Sequence, residues 1–357
     1  MRNAEEKFID KNIALLCKEF DMIRGQNVNI SRISPGLIDG VKPVARRLLY
    51  VMYLKDQGKK YRKVAAITGD TMARLHHHGQ GSIKDALVGL EQWWNNNLPL
   101  IDGAGSNYGT PAGDEAGADR YILARLSEYA LDCFFSEWKE STVDMRLGAD
   151  EETMEPLYLP AKYPNVLFNG TLGIGYGLAS NVAAYNFKEG CEATIALIQN
   201  KNAPIVLIPD SPTGCDIIQS DFKHATESSR ASYAMRCKYH VDDELNQIVI
   251  TAMPYQVSSN TIVEKIADIK ERNAGLSELK NMEDLSGKKI DLHLYLKDDV
   301  NPYKFMKKLI SSVGGLEKTY PINVTVENEY QTFDWSIRDV ILQWIRYRRE
   351  QKRIVVI

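Results

Sequence analysis

Apolar residues recur at helical spacing between Val41 and Tyr53, where Val44, Leu48, Val51 and Met52 share a side and Pro43 stands at the first helical position. A second helical stretch is predicted over 62–75. It leads through His76-His77-His78-Gly79 into a third helix starting at Ser82, with Ile83, Ala86, Leu87, Leu90 and Trp94 along one face. Ser82, with Asp85 three residues on, gives that helix a capping pattern. Helix, helix, turn and helix is the layout of a helix-turn-helix unit. From Asp102 to Asp119 the glycines Gly103, Gly105, Gly109, Gly113 and Gly117 are too many for a helix or a central strand, so the stretch is a loop or wing. Ile122, Leu126, Tyr129, Ala130 and Cys133 then predict an amphipathic helix with Tyr121 at its mouth, rigidly held yet facing outward.

The acidic stretch Asp150, Glu151, Glu152, Glu155 marks a candidate boundary to a second unit. Beyond it, strands are expected over 205–208, 247–253 and 290–296, and helices over 260–272 and 302–312, an α/β alternation. Ile337, Val340, Ile341, Trp344 and Ile345 predict a last helix over 335–349. It runs into charged residues and reaches Ile357 without a glycine cap, as in a fragment of a longer protein. A chain of 357 residues exceeds what one core usually supports, so the expected class is α+β and multidomain.

Composition excludes disorder, collagen and a disulfide scaffold, because 44% of residues are hydrophobic and 25% charged. Cys17, Cys133, Cys191, Cys215 and Cys237 are scattered and include no CxxC pair, which favours reduced thiols and a cytoplasmic setting over a zinc ribbon. The N-terminal residues show no signal peptide, and no membrane span is expected. The net charge of −3 hides a local excess. Between Arg32 and Arg74 stand ten Lys or Arg against three Asp, a surplus of seven positive charges that suits a phosphate backbone.

A tyrosine attacks a phosphodiester when its oxygen is held in line and its proton removed. Arg120 places a permanent cation next to Tyr121; the dipeptide alone fits a surface pairing with a half-buried ring much better, and its setting is what singles it out. Three successive histidines cannot easily ligate one ion, and no convincing carboxylate or cysteine partner stands close in sequence, so phosphate contact or turn packing fits them better. Gly173-Ile174-Gly175-Tyr176-Gly177 fails the dinucleotide spacing because position 178 is Leu. It is read either as close backbone packing or as an exposed apolar tip at Ile174 able to unstack base pairs.

Taken in order, Asp39-Gly40-Val41-Lys42-Pro43-Val44-Ala45-Arg46-Arg47, His76-His77-His78-Gly79, Gly103-Ala104-Gly105-Ser106-Asn107-Tyr108-Gly109 and Arg120-Tyr121 resemble the breakage-reunion subunit of type IIA DNA topoisomerases. The likeness continues through Lys162-Tyr163-Pro164-Asn165 and residues 169–181, and the short form is most similar to the medium subunit of the T4-type phage enzyme.

The resemblance implies a winged-helix domain over 29–148 behind an N-terminal arm at 1–28, an α/β tower over 149–334, and the start of a coiled-coil helix over 335–357. It implies Tyr121 as the nucleophile and Arg120 as transition-state stabiliser. Arg32, Lys42, Arg46, Arg47, His76 and His78 would contact bent double-stranded DNA, and Ile174 would intercalate. The implied assembly is a homodimer within a hetero-oligomer, in which partner subunits hold Mg²⁺ and bind ATP and this chain binds no metal. Ala45 stands where bacterial members commonly have histidine, and Gln80-Gly81 where they have Asp-Ser, so their drug-sensitive surface is not expected here. The coiled-coil gate is expected to be lacking beyond its first turns. Two rival classes remain at this point: an architectural DNA-bending protein, and another tyrosine transesterase such as a recombinase, which needs a dispersed Arg-His-Arg set.

Overall fold

The computed structural model describes residues 12–218, 221–272 and 275–356, with side chains of the last helix described through Ile354. Residues 1–11 of the expected N-terminal arm, and Ile357, lie outside the described residues. Helix α1, Ile13–Val28, is capped by Asn12, whose side chain accepts from the Ala14 amide at 2.9 Å, and it widens into a π-type turn over Asn29–Ile33.

Next come α2 (Pro43–Leu54), β1 (Arg62–Lys63), α3 (Val64–Arg74), α4 (Gln80–Glu91), β2 (Ile101–Asp102), β3 (Leu123–Leu126) and α5 (Glu128–Ala130). Leu48, Leu49 and Met52 of α2, Val64 and Ile67 of α3, and Ile83 and Leu87 of α4 bury one face each against Ala124 and Leu126 of β3. Strand β3 is the middle of a small antiparallel sheet ordered β1-β3-β2. Helix α4 begins two residues before the expected start, with Gly79 as its cap, and Ser82 instead donates its hydroxyl to the Gly79 carbonyl at 2.8 Å.

The helix expected after Tyr121 is a strand. Ile122, Ala124 and Leu126 are buried in alternation, which is the period of β-structure, and only beyond Ser127 does the chain coil. Ile122, Leu126 and Ala130, separated by four residues, satisfy both periods, and pairing of β3 with β1 and β2 decides between them.

Then follow β4 (Met145–Leu147), β5 (Met154–Pro156), β6 (Thr171–Ile174), β7 (Ala179–Val182), α6 (Phe187–Gln199), β8 (Asp216–Ile218), α7 (Phe222–Glu227) and β9 (Arg230–Arg236). After them lie β10 (Lys238–Asp242), β11 (Gln247–Ala252), α8 (Ser259–Glu271), β12 (Leu279–Asp284), β13 (Leu292–Leu296), α9 (Pro302–Ser312), β14 (Glu317–Asn323), β15 (Thr325–Asn328), β16 (Gln331–Asp334) and α10 (Ile337–Val356).

One sheet, ordered β6-β7-β14-β9-β8, packs with Leu197 of α6 and with Ile337, Val340 and Ile341 of α10. Another, ordered β10-β11-β13-β12, buries Ile248, Ile250, Leu292 and Leu294 against Ile262 and Ile266 of α8 and Phe305, Met306 and Leu309 of α9. The fold is mixed α and β.

Every ladder between these strands is antiparallel, so the α/β alternation expected beyond residue 149 is corrected to α+β. Segment 205–208 alternates as a strand does, with Ile205 and Leu207 buried, but joins no ladder. The Leu207 amide donates instead to the Thr226 hydroxyl at 3.0 Å. All five cysteines are free. Among the described residues no helix is long and apolar enough to cross a membrane.

Candidate functional site

Tyr121 ends a tight turn in which its amide donates to the Ala118 carbonyl at 2.8 Å. The first amides of an α-helix lack intrahelical partners, and here the turn supplies them: Ala65 donates to the Asp119 carbonyl and Val64 to the Ile122 carbonyl, each at 3.1 Å. Lys63 Nζ donates to the Tyr121 carbonyl at 3.2 Å. The backbone around Tyr121 is thus fixed to the start of α3, while its side chain is 67% exposed. Arg120 lays its guanidinium 4.8 Å from the centre of the Tyr121 ring.

The glycine-rich loop backs this turn. Tyr108 is buried and donates its hydroxyl to the Leu123 carbonyl at 2.8 Å, and burial, with Glu91 and Asp102 nearby, raises its pKa and keeps it a neutral donor. Gly103 lies flat against that ring, where a Cβ would come within 2.4 Å of a ring carbon. Gln80, at the start of α4, donates to Thr68 Oγ1 at 3.1 Å and to Asp119 Oδ2 at 3.3 Å, tying the tyrosine turn to both helices.

Along the neighbouring surface the cations form a connected set. Arg32 Nη2 donates to His78 Nε2 at 3.1 Å, His78 meets His76 edge-on at 4.4 Å, and His76 Nδ1 lies 2.7 Å from Arg47 Nη1. Burial first, then the charges of Arg47, His78 and Arg32, push His76 down to about 4, so it is neutral near pH 7. Lys42, lowered by burial, donates to the Leu172 carbonyl at 2.9 Å and so reaches the base of the β6–β7 hairpin. His77 faces away, within 3.3 Å of the Ala73 carbonyl.

Arg46 departs from its expected place. Its side chain is 7% exposed and grips the fully buried Asp39, Nε to Oδ2 at 2.6 Å and Nη2 to Oδ1 at 3.1 Å. One helical position from Arg47, it points across the buried stripe of α2 rather than outward, and a guanidinium closed on a carboxylate has little left for a phosphate.

Ile174 stands at the tip of the β6–β7 hairpin, 84% exposed. The side chain of Asn29 clamps that tip, accepting from the Tyr176 amide at 2.7 Å and donating to the Tyr176 carbonyl at 2.9 Å. Gly25 and Gly175 leave no room for a Cβ against Tyr176 and Asn29. The hairpin therefore projects an apolar side chain from a backbone that is itself held.

Asn29, Asp39 and Glu155, which accepts from Arg47 Nε at 2.7 Å, carry this geometry, and sequence reasoning gives none of them a role at the site. A buried acid beside Arg is invisible in sequence without its fold, and Glu155 reads there as part of a solvated acidic stretch. Among the described residues no group of three or more His, Cys, Asp or Glu is placed to hold a metal ion.

Over residues 32–354 the chain matches the family model that describes the A subunit of DNA gyrase and topoisomerase IV. It is 34% identical to the DNA gyrase A subunit of Chlamydia pneumoniae, over 98% of this chain and 43% of that protein. It is 36% identical to the DNA gyrase A subunit of Granulibacter bethesdensis, over 91% of this chain and 35% of that protein. It is 34% identical to the DNA topoisomerase 4 A subunit of Caulobacter vibrioides, over 90% and 44%. The chain spans less than half the length of these curated relatives.

Proposed function

Because the chain belongs to the family of DNA gyrase and topoisomerase IV A subunits, we propose that it cleaves and rejoins DNA in a type IIA topoisomerase, with Tyr121 as the nucleophile. The observation that carries this reading is an exposed phenol on a backbone anchored to a helix start, with an arginine at its ring. Holding a nucleophile in a near-attack position removes much of the entropic barrier to an in-line displacement.

The tyrosine oxygen forms a bond to phosphorus as the bond to the 3′ oxygen breaks. The phenolic proton leaves Tyr121 and the departing 3′ oxygen takes one up, which leaves a 5′-phosphotyrosyl link and a free 3′ hydroxyl. The reverse attack reseals the strand. One phosphodiester is exchanged for another, so neither step requires ATP. Arg120 meets the negative charge that develops in the transition state.

Arg32, Lys42 and His78 form the surface for the duplex, backed by Arg47, which is closed on Glu155, and by the buried His76, and Ile174 is the wedge that unstacks a base step and bends it. The domains follow the same proposal: an arm at 1–28, a winged helix at 29–148, a tower at 149–334 and a coiled-coil start at 335–357. Two copies would each cut one strand, with partner subunits supplying Mg²⁺ and ATP-driven passage of a second duplex, in the cytoplasm.

Tyr121→Phe tests the reading. Combined with a metal-binding partner subunit, it should abolish cleavage and leave DNA affinity nearly unchanged. Cleavage by the variant would overturn the assignment, and a purely architectural bender would show no cleavage in the wild type either.

A further inference from the structure

Glu155 is 2% exposed. A carboxylate removed from water persists as a charge only when paired and hydrogen-bonded. Glu155 meets that condition with three guanidinium donors: Arg47 Nε reaches Oε2 at 2.7 Å, Arg47 Nη2 reaches Oε1 at 2.9 Å, and Arg146 Nε reaches Oε1 at 2.9 Å. The two-point grip fixes the plane of the Arg47 head and leaves Nη1 directed at His76 Nδ1, 2.7 Å away.

A guanidinium donates and cannot accept, so Nδ1 of His76 is the acceptor and a neutral ring keeps its proton on Nε2. Arg47, His78, Arg32 and Glu155 act on this ring. The first three disfavour a second proton on the ring, and Glu155, already closed on two arginines, opposes them most weakly.

We propose that Glu155 is a positioning residue of the cleavage surface, acting through Arg47 to hold His76 as the tautomer with its N–H on Nε2. The proposal rests on the reading that this surface receives DNA. His76 is itself buried, and a ring fixed in this tautomer places one donor at a known position behind the exposed His78 and Arg32 rather than a mixture of donor and acceptor.

The ¹⁵N spectrum of histidine-labelled full-length chain reads the tautomer directly. In the wild type His76 should show an unprotonated Nδ1 and a protonated Nε2 at pH 7. Glu155→Gln loses the charge and turns an amide N–H₂ toward the arginines, so His76 should pass to a mixture of tautomers. Cleavage with the partner subunit should fall about 10- to 100-fold, more than DNA affinity does. Glu155→Asp keeps the charge one methylene short and is measured in the same way, so the test survives if the glutamine variant does not fold.

A wild-type His76 protonated on Nδ1, or a folded variant whose His76 keeps its proton wholly on Nε2, overturns the proposal. Absence of a tyrosyl-DNA adduct in the wild type would instead overturn the functional reading, and the nitrogen spectrum would still decide the role of Glu155.

Discussion

Arg46→Ala should weaken folding strongly and leave the salt dependence of DNA binding unchanged, whereas Lys42→Ala should do the reverse. Arg46 is 7% exposed and Asp39 0%, so truncating the arginine strands a carboxylate in the interior. Breaking a buried pair costs about 3–5 kcal/mol. The lower end applies, because Asp39 keeps the amides of Val41 at 3.2 Å and Leu159 at 3.0 Å. About 3 kcal/mol is roughly a 150-fold change in the folding equilibrium, or about 6–12 °C in melting temperature for units of this general size. The Lys42 side chain donates to the Leu172 carbonyl, and as a phosphate contact its loss should lower the slope of log affinity against log salt by roughly 0.9. Thermal denaturation and salt-titrated DNA binding on both variants decide the matter. If Arg46→Ala melted like the wild type and lowered the slope, Arg46 would be a DNA contact and the inward placement would be wrong.

Ile174→Ala should leave stability within about 0.5 kcal/mol, since the side chain is 84% exposed, and should reduce the DNA bend read by energy transfer between end labels. An unchanged bend would remove Ile174 from the interface. His76 sits at about 4 when folded against 6.5 when unfolded, so the unfolded chain takes up the proton first as pH falls. Stability should therefore decline between about pH 6.5 and pH 4 by at most about 3 kcal/mol and then level off, a slope that His76→Gln should remove. This chain alone with Mg²⁺ and DNA should bind but cleave poorly, and adding the partner subunit should switch cleavage on. Efficient cleavage by the purified single chain would place the metal site within it.

Elements whose period is unambiguous were legible from sequence. Helix α9 follows the expected 302–312 range, and α2 begins at the predicted Pro43. Strand β3 was not, because Ile122, Leu126 and Ala130 satisfy helix and strand periods alike, and only pairing with distant β1 and β2 breaks the tie. The antiparallel ladders beyond residue 149 escaped for a related reason: alternation of element types says nothing about strand direction. At the site, chemistry-bearing residue types announced themselves, but orientation did not. Arg46 and Arg47 are adjacent in sequence, and only Asp39 and Glu155 determine where their two guanidinium groups end. Exposure of Ile174 depends on Asn29, a residue far away in the chain whose amide side chain carries no sequence signal of its role.

Covalent chemistry at one tyrosine leaves a tyrosyl-DNA adduct that can be isolated. Cleavage with the partner subunit on end-labelled duplex would be stopped with denaturant, the protein digested, and the DNA-bound peptide sequenced. A single peptide containing Arg120-Tyr121 is expected, with the DNA joined at Tyr121 through its 5′ phosphate and a free 3′ hydroxyl on the other end. A link through a 3′ phosphate, or through another tyrosine such as the similarly exposed Tyr176, would contradict it.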